Sequence, residues 1–99
     1  MTYKVTEENN ISTVFLDGEI DMDKTEAAKE LILPLIEAKK EVHLNLKDVQ
    51  YMDSSGISVL IESHQQATEN ETKVILKDIS KSVLKVIMMA KLEQILNLD

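Results

Sequence analysis

Cysteine, tryptophan and arginine are absent from the 99 residues, and each absence narrows the range of functions. Without cysteine there is neither a disulfide framework nor a thiolate metal site. Without arginine, and with 18 acidic against 11 basic residues for a formal charge of −7, the chain lacks what holds a phosphate backbone. That recognition needs a basic surface and bidentate forks, so no nucleic acid is expected as a partner. Aromatic residues are scarce (Tyr3, Phe15 and Tyr51), so the core must be aliphatic. The longest apolar run, Leu31 to Ile36, falls far short of the roughly 20 residues that cross a bilayer. Met1-Thr2-Tyr3-Lys4 leads straight into polar and acidic residues, unlike a signal peptide, and a cytoplasmic protein with no membrane span is expected. The only glycines are Gly18 and Gly56 and the only proline is Pro34, which implies short connections.

What is present fits one folded domain over residues 1–99. Hydrophobic residues make up 43% and charged residues 29%, the usual balance of a soluble globular chain. A chain of this length buries roughly 60–70% of its unfolded surface around a single core. Tyr3 to Glu7 alternates weakly, Asn9-Asn10 is turn material, and Ile11 to Leu16 reads as a second strand forming a hairpin with the first. Asp17-Gly18 is expected to end that strand. Asp23 is placed as a helix cap with Glu26 reaching back to it, ahead of Ala28, Leu31, Ile32, Leu35 and Ile36 at helical spacing. Pro34 lies inside that pattern, where a kink or restart is expected. Val42, Leu44 and Leu46 alternate as a strand. Asp53 to Ala67 reads as a second helix and Val74 to Leu76 as a short strand. Ser80 caps a third helix through Val83, Val86, Ile87 and Ala90. Leu92 to Leu98 fits either a last strand or a helical tail. Strand–helix–strand crossovers demand parallel neighbours, so the class is α/β, a mixed sheet with helices packed against it.

The informative segment is Val49 to Ile57, which contains Tyr51-Met52-Asp53-Ser54-Ser55-Gly56. Two adjacent hydroxyls fall at a helix start, where backbone N–H groups lack intrahelical partners. Gly56 occupies the first turn although glycine costs roughly 1 kcal/mol there against alanine, which suggests a close approach to the backbone. A purely structural account makes Asp53 or Ser54 the cap, Ser55 a solvated side chain and Gly56 a packing contact. A functional account makes one serine a phosphate acceptor, its phosphate stabilised by the free N–H groups and the helix dipole. Such a phosphate adds roughly −1.5 to −2 charge beside Asp53, and beside Asp21 and Asp23 if they lie at the same end of the sheet.

These residues resemble a family. Asp53-Ser54-Ser55-Gly56 after Tyr51-Met52 is similar to the signature of bacterial anti-sigma factor antagonists, which are single STAS domains. Gly18-Glu19-Ile20-Asp21 resembles the family's turn before the first helix, Val42 to Asp48 its strand before the signature, and Lys91-Leu92 with Ile95 its close of the third helix. The resemblance implies a STAS-type mixed sheet and a partner-switching role in transcription regulation. The unphosphorylated form would bind an anti-sigma factor that is also a serine kinase, releasing a sigma factor. Phosphorylation would end the binding, and a metal-dependent serine phosphatase would reset it. The family's acceptor position falls on Ser54, with Ser55 the second choice. Asp21, Asp23, Asp53, Ser55, Gly56 and Ile57 would form the partner surface, with Ile57 read first as packing. The alternative within the same fold is a non-switching scaffold, or a subunit of a stressosome-like or lipid-transport assembly.

Catalysis and cofactors are not expected. His43 on an outward strand face and His64 on the second helix have no metal-ligand spacing. Met52 stands where a nucleophile elbow needs glycine, and the isolated Gly18 and Gly56 make no phosphate-cradling loop. Met88 and Met89 fall on the flanks of the third helix's apolar face. They read as tail-covered core, with an adaptable partner patch as the alternative. With the sequence given ending at Asp99, less cover is expected over that helix than many relatives have.

Overall fold

In the computed structural model, which describes residues 3–99, five strands form one sheet in the order β1-β2-β3-β4-β5. They are β1 (Lys4–Glu8), β2 (Ile11–Ile20), β3 (Glu41–Met52), β4 (Val74–Lys77) and β5 (Asn97–Leu98). The helices are α1 (Met22–Glu37) between β2 and β3, α2 (Ser54–Glu69) between β3 and β4, and α3 (Lys81–Met89) after β4. A short 3-10 turn, Leu92–Gln94, precedes β5, so the ambiguous tail is helical turn first and strand second. Met1 and Thr2, part of the start compared with a signal peptide, lie outside the described residues. No helix among the described residues is long and apolar enough to cross a membrane.

The pairing is mixed, as the element order demands. β1 lies antiparallel to β2, and the other three neighbours are parallel. Asn9 and Asn10 both take positive φ, 54° and 66°, as a tight two-residue hairpin requires. In register across the sheet, Val14, Leu44 and Leu76 are neighbours, with Ser12, Val42 and Val74 one step along. This face is buried, and the helices add Ala28, Ile32 and Ile36 from α1, Val59, Leu60 and Ala67 from α2, and Val83 and Ile87 from α3. Each fully buried Leu, Ile or Val contributes about 1.5–3 kcal/mol of transfer free energy.

Several boundaries differ from the sequence reading. β2 does not stop at Asp17-Gly18 but continues to Ile20: Asp17 pairs with Asp48 and Gly18 with Val49, and at the register shifts after Phe15 and after Gly18 the extra residue lies on β3. Gly18 takes φ 70°, a left-handed conformation that glycine adopts without the penalty of a Cβ. The cap of α1 is Asp21, not Asp23: the Asp21 carboxylate accepts from the Asp23 N–H at 3.0 Å. Pro34 neither breaks nor restarts α1, and the ladder continues with Ala38 N–H donating to the Pro34 carbonyl at 3.0 Å. Pro34 and Glu30 share the exposed side, so the Glu30 carbonyl that loses its partner faces water.

Helix ends explain how a chain with two glycines makes three helices. α1 and α2 close in Schellman motifs, with Lys39 N–H donating to Ile36 O and Lys40 N–H to Leu35 O, then Glu71 to Thr68 O and Thr72 to Ala67 O. Lys39, Glu71 and, after α3, Lys91 sit at φ near 60° in the place usually given to glycine. A left-handed L-residue costs about 1–2 kcal/mol. Glu71→Gly is therefore expected to stabilise the fold by about 1 kcal/mol net of the added unfolded-state entropy, raising the melting temperature by several degrees in a calorimetric scan. The hairpin is tied to the start of β3 by an ion pair between Lys40 and Glu7, and that hydrogen bond holds the Glu7 carboxyl below its ordinary 4.5. A lowered folded-state value means this stabilisation is present above the ordinary value and is lost as pH falls through the lowered one.

Candidate functional site

Three parallel strands place the start of every helix at one end of the sheet. There the last residues of β2 and β3 pair, Glu19 with Tyr51 and Ile20 with Met52. Asp53 is the only residue between β3 and α2. Its N–H donates to the Ile20 carbonyl at 3.4 Å, and its carboxylate accepts from the Ser55 N–H at 2.8 Å and the Gly56 N–H at 3.2 Å. This makes Asp53 the cap, Ser54 the first helical residue and Ser55 the second. Asp53→Ala removes both side-chain bonds and is expected to cost about 1–2 kcal/mol, read as a lower midpoint in urea unfolding.

The cap corrects one expectation. The N–H groups of Ser55 and Gly56 are not free to hold a phosphate, because the Asp53 carboxylate already occupies them. The Ser54 side chain is exposed, whereas Ser55 is half-buried. The Ser54 carbonyl accepts from the Ser58 hydroxyl at 2.9 Å, which keeps the first turn closed. Ile57 is half-buried against the core, as its packing role requires.

Gly56 is explained by the fold itself. A Cβ there would lie 2.7 Å from the Ile20 carbonyl oxygen, 3.2 Å from Ile20 Cγ2, and closer still to Met52 Cγ. What approaches the backbone at this point is the end of β2, not a ligand. The same approach brings the start of α1 beside the start of α2. Asp21, half-buried, and Asp23, exposed, therefore stand at the same end as Asp53 and Ser54. Beside them opens a cavity of about 380 Å³ lined by Tyr3, Asp17, Gly18, Glu19, Asp23 and Lys24. Burial, then the charges of Asp17 and Asp21, push the Tyr3 phenol above its ordinary value of 10.0. The acids of this end thus act on a common field.

Sequence reasoning missed Asp17 and Glu19 as parts of this acidic end, because Asp17-Gly18 was read as the close of a strand. Among the described residues no group of three His, Asp or Glu side chains is placed to hold a metal ion. His43 has Glu41 as its neighbour at 2.6 Å.

Residues 2–99 match the family model described as the STAS domain. The chain is 28% identical over 92 residues to the anti-sigma-B factor antagonist of Bacillus subtilis (strain 168), covering 93% of this chain and 84% of that protein. A putative anti-sigma factor antagonist from Thermotoga maritima superposes with a TM-score of 0.87 at 15% identity, covering 97% of this chain and 84% of that one. The anti-sigma factor antagonist SpoIIAA in its unphosphorylated form gives a TM-score of 0.80 at 20% identity, with 99% and 88% covered. SpoIIAA in the phosphorylated form, described as a Bacillus cell fate determinant, gives 0.76 at 19% identity, with 99% and 91% covered.

Proposed function

The chain belongs to the STAS domain family, and from that premise we propose that it is an anti-sigma factor antagonist switched by phosphorylation of Ser54. The observation that carries this reading is the exposed hydroxyl of Ser54, the first residue of α2, directly after the capping Asp53. An acceptor serine must let a kinase bring the γ-phosphorus of ATP in line with its oxygen. The Ser54 Oγ forms the new P–O bond, ADP leaves with the old one, and the hydroxyl proton passes to a base on the kinase. Ser55 serves this step less well, being half-buried.

The chemistry of the switch follows from the cap. The phosphate adds roughly −1.5 to −2 charge at pH 7. The Ser55 and Gly56 N–H groups that would offset it are held by Asp53, so the added charge stays solvated. An anti-sigma factor surface fitted to a small hydroxyl must then desolvate a dianion near Asp21, Asp23 and Asp53, which opposes binding. The relative from Bacillus subtilis is named for antagonism of an anti-sigma factor, and SpoIIAA keeps a similar fold in both forms, which supports a switch in surface chemistry with the fold intact. The partners in this reading are an anti-sigma factor that is a serine kinase, and a metal-dependent serine phosphatase that hydrolyses the ester.

The test uses the full chain, a kinase-type anti-sigma factor from the same genome, and ATP, with the modified residue mapped by mass spectrometry. One phosphate on Ser54, and none on Ser54→Ala, is the expected result. Full-yield transfer to Ser54→Ala, or no transfer at all, overturns the reading.

A further inference from the structure

α3 carries a surface of opposite character to the rest of this acidic chain. From Ser80 to Leu92 there are three lysines, Lys81, Lys85 and Lys91, and no acidic residue. Val83 and Ile87 turn into the core, which leaves the outer side to the lysines and to Met88 and Met89. Those methionines are 53% and 75% exposed, not covered by the tail as the sequence suggested, and Ile95 nearby in sequence is 54% exposed. Among the described residues none of these three lysines has a carboxylate within 4.0 Å, while Lys39, Lys40, Lys73 and Lys77 are all paired. An exposed methionine pair is a soft, adaptable apolar anchor. Here it is set among uncompensated cations.

The complementary surface lies on the same molecule. At the acceptor end Met22 is 73% and Tyr51 53% exposed, among Asp17, Glu19, Asp21, Asp23 and Asp48. The cavity of about 380 Å³ beside them has room for one long side chain and is lined by the carboxylates of Asp17, Glu19 and Asp23, by Tyr3 and by one lysine, Lys24, so its charge is net negative. The two surfaces do not face each other within one copy. α3 starts at the acceptor end, where the Ser80 hydroxyl donates to the Val49 carbonyl at 2.7 Å. It then runs back to feed β5, parallel to β4, which carries Met88 and Met89 toward the opposite end.

We propose that the lysine–methionine face of α3 docks into the acidic end of a second copy of this chain, head to tail. Met88 and Met89 pack against Met22 and Tyr51, and a lysine of α3 enters the carboxylate-lined cavity. Two different surfaces meet, so each added copy leaves one of each kind free and the assembly extends beyond two. The net charge of −7 on each copy opposes this at long range. At physiological salt, with a screening length of about 8 Å, that repulsion is damped while contacts within the interface persist. A docked copy covers the end that holds Ser54, so self-association and capture of an anti-sigma factor exclude one another. The same net charge disfavours an anionic lipid surface as the occupant.

The test is sedimentation equilibrium of the full chain over roughly 0.01–1 mM, the range of weak complexes. The expected result is a weight-average mass that climbs with concentration past that of a dimer, and falls back in about 1 M salt, where screening reaches about 3 Å. The variant Lys85→Glu/Lys91→Glu and the variant Asp21→Lys/Asp23→Lys are each expected to stay monomeric. Mixed in equal amounts they should associate, because one keeps the acidic end and the other keeps α3. Met88→Gln/Met89→Gln should weaken association about tenfold or more without altering the charge. A monomer throughout the range, a wild-type assembly that stops at two, or a mixture of the two charge variants that stays monomeric overturns the proposal. So does binding to vesicles of anionic phospholipid that the wild type shows and Lys85→Glu/Lys91→Glu loses. None of these outcomes involves phosphorylation of Ser54, so they are independent of the kinase assay.

Discussion

Gly56→Ala is expected to destabilise the fold by about 2–3 kcal/mol and to lower the melting temperature by about 10–20 °C. Most helix positions would gain roughly 1 kcal/mol from this exchange, so the expected sign is opposite to the propensity rule. The reason is contact with backbone. The new methyl would meet the Ile20 carbonyl oxygen at 2.7 Å, and that oxygen also accepts the Asp53 N–H. The Met52 side chain can shift a little, but the Ile20 carbonyl cannot move without displacing the residue that joins β3 to α2. α2 would have to lift from the sheet, loosening Val59 and Leu60 in the core. Urea unfolding monitored by circular dichroism checks this. An unchanged or raised midpoint would show that α2 does not approach β2 as closely as described.

Ser54→Asp is expected to weaken binding of the anti-sigma factor about 100-fold, near 3 kcal/mol, while the melting temperature moves by less than about 3 °C. The two readouts separate because two small terms cancel in the free protein. A carboxylate in the first turn gains about 0.3–1 kcal/mol from the helix dipole. It loses a similar amount beside Asp53, whose charge already occupies the nearest N–H groups. In the complex nothing offsets the cost of burying the added charge. Titration calorimetry gives the first quantity and a thermal melt the second. Unchanged affinity, or a fold that softens by many degrees, would return Ser54 to a purely structural role. Ser54→Ala, by contrast, should bind as the unmodified protein does.

The number, type and order of the main elements were legible because their buried positions repeat cleanly. Val42, Leu44 and Leu46 fall on one sheet face, and Ile32 and Ile36 on one helix side. The cap and the close approach at the start of α2 were legible too, since an aspartate before two serines and a glycine satisfies both. Boundaries were not. Asp17-Gly18 resembles a turn, yet pairing with Asp48 and Val49 keeps it inside β2. Asp21 and Asp23 are two residues apart and equally suited to capping, and only the path of β2 decides between them. Lys39, Glu71 and Lys91 hide the helix ends by standing where glycine would announce them. A kink or restart is expected at Pro34 from its missing N–H, yet α1 runs through it with the proline on the exposed side. The exposure of Met88 and Met89 depends on where the last residues of the chain travel, which a nine-residue helix pattern does not encode.

The junction made by Asp53 alone has a consequence for how a signal leaves this molecule. With a single residue between strand and helix, pinned at its amide and at its carboxylate, there is no slack to coil or uncoil. A mark placed on the next residue cannot be relayed as a movement and is shown to the outside in one fixed pose. In the switch proposed for Ser54, information would pass by touch, and every observer would come to the same small spot to read it.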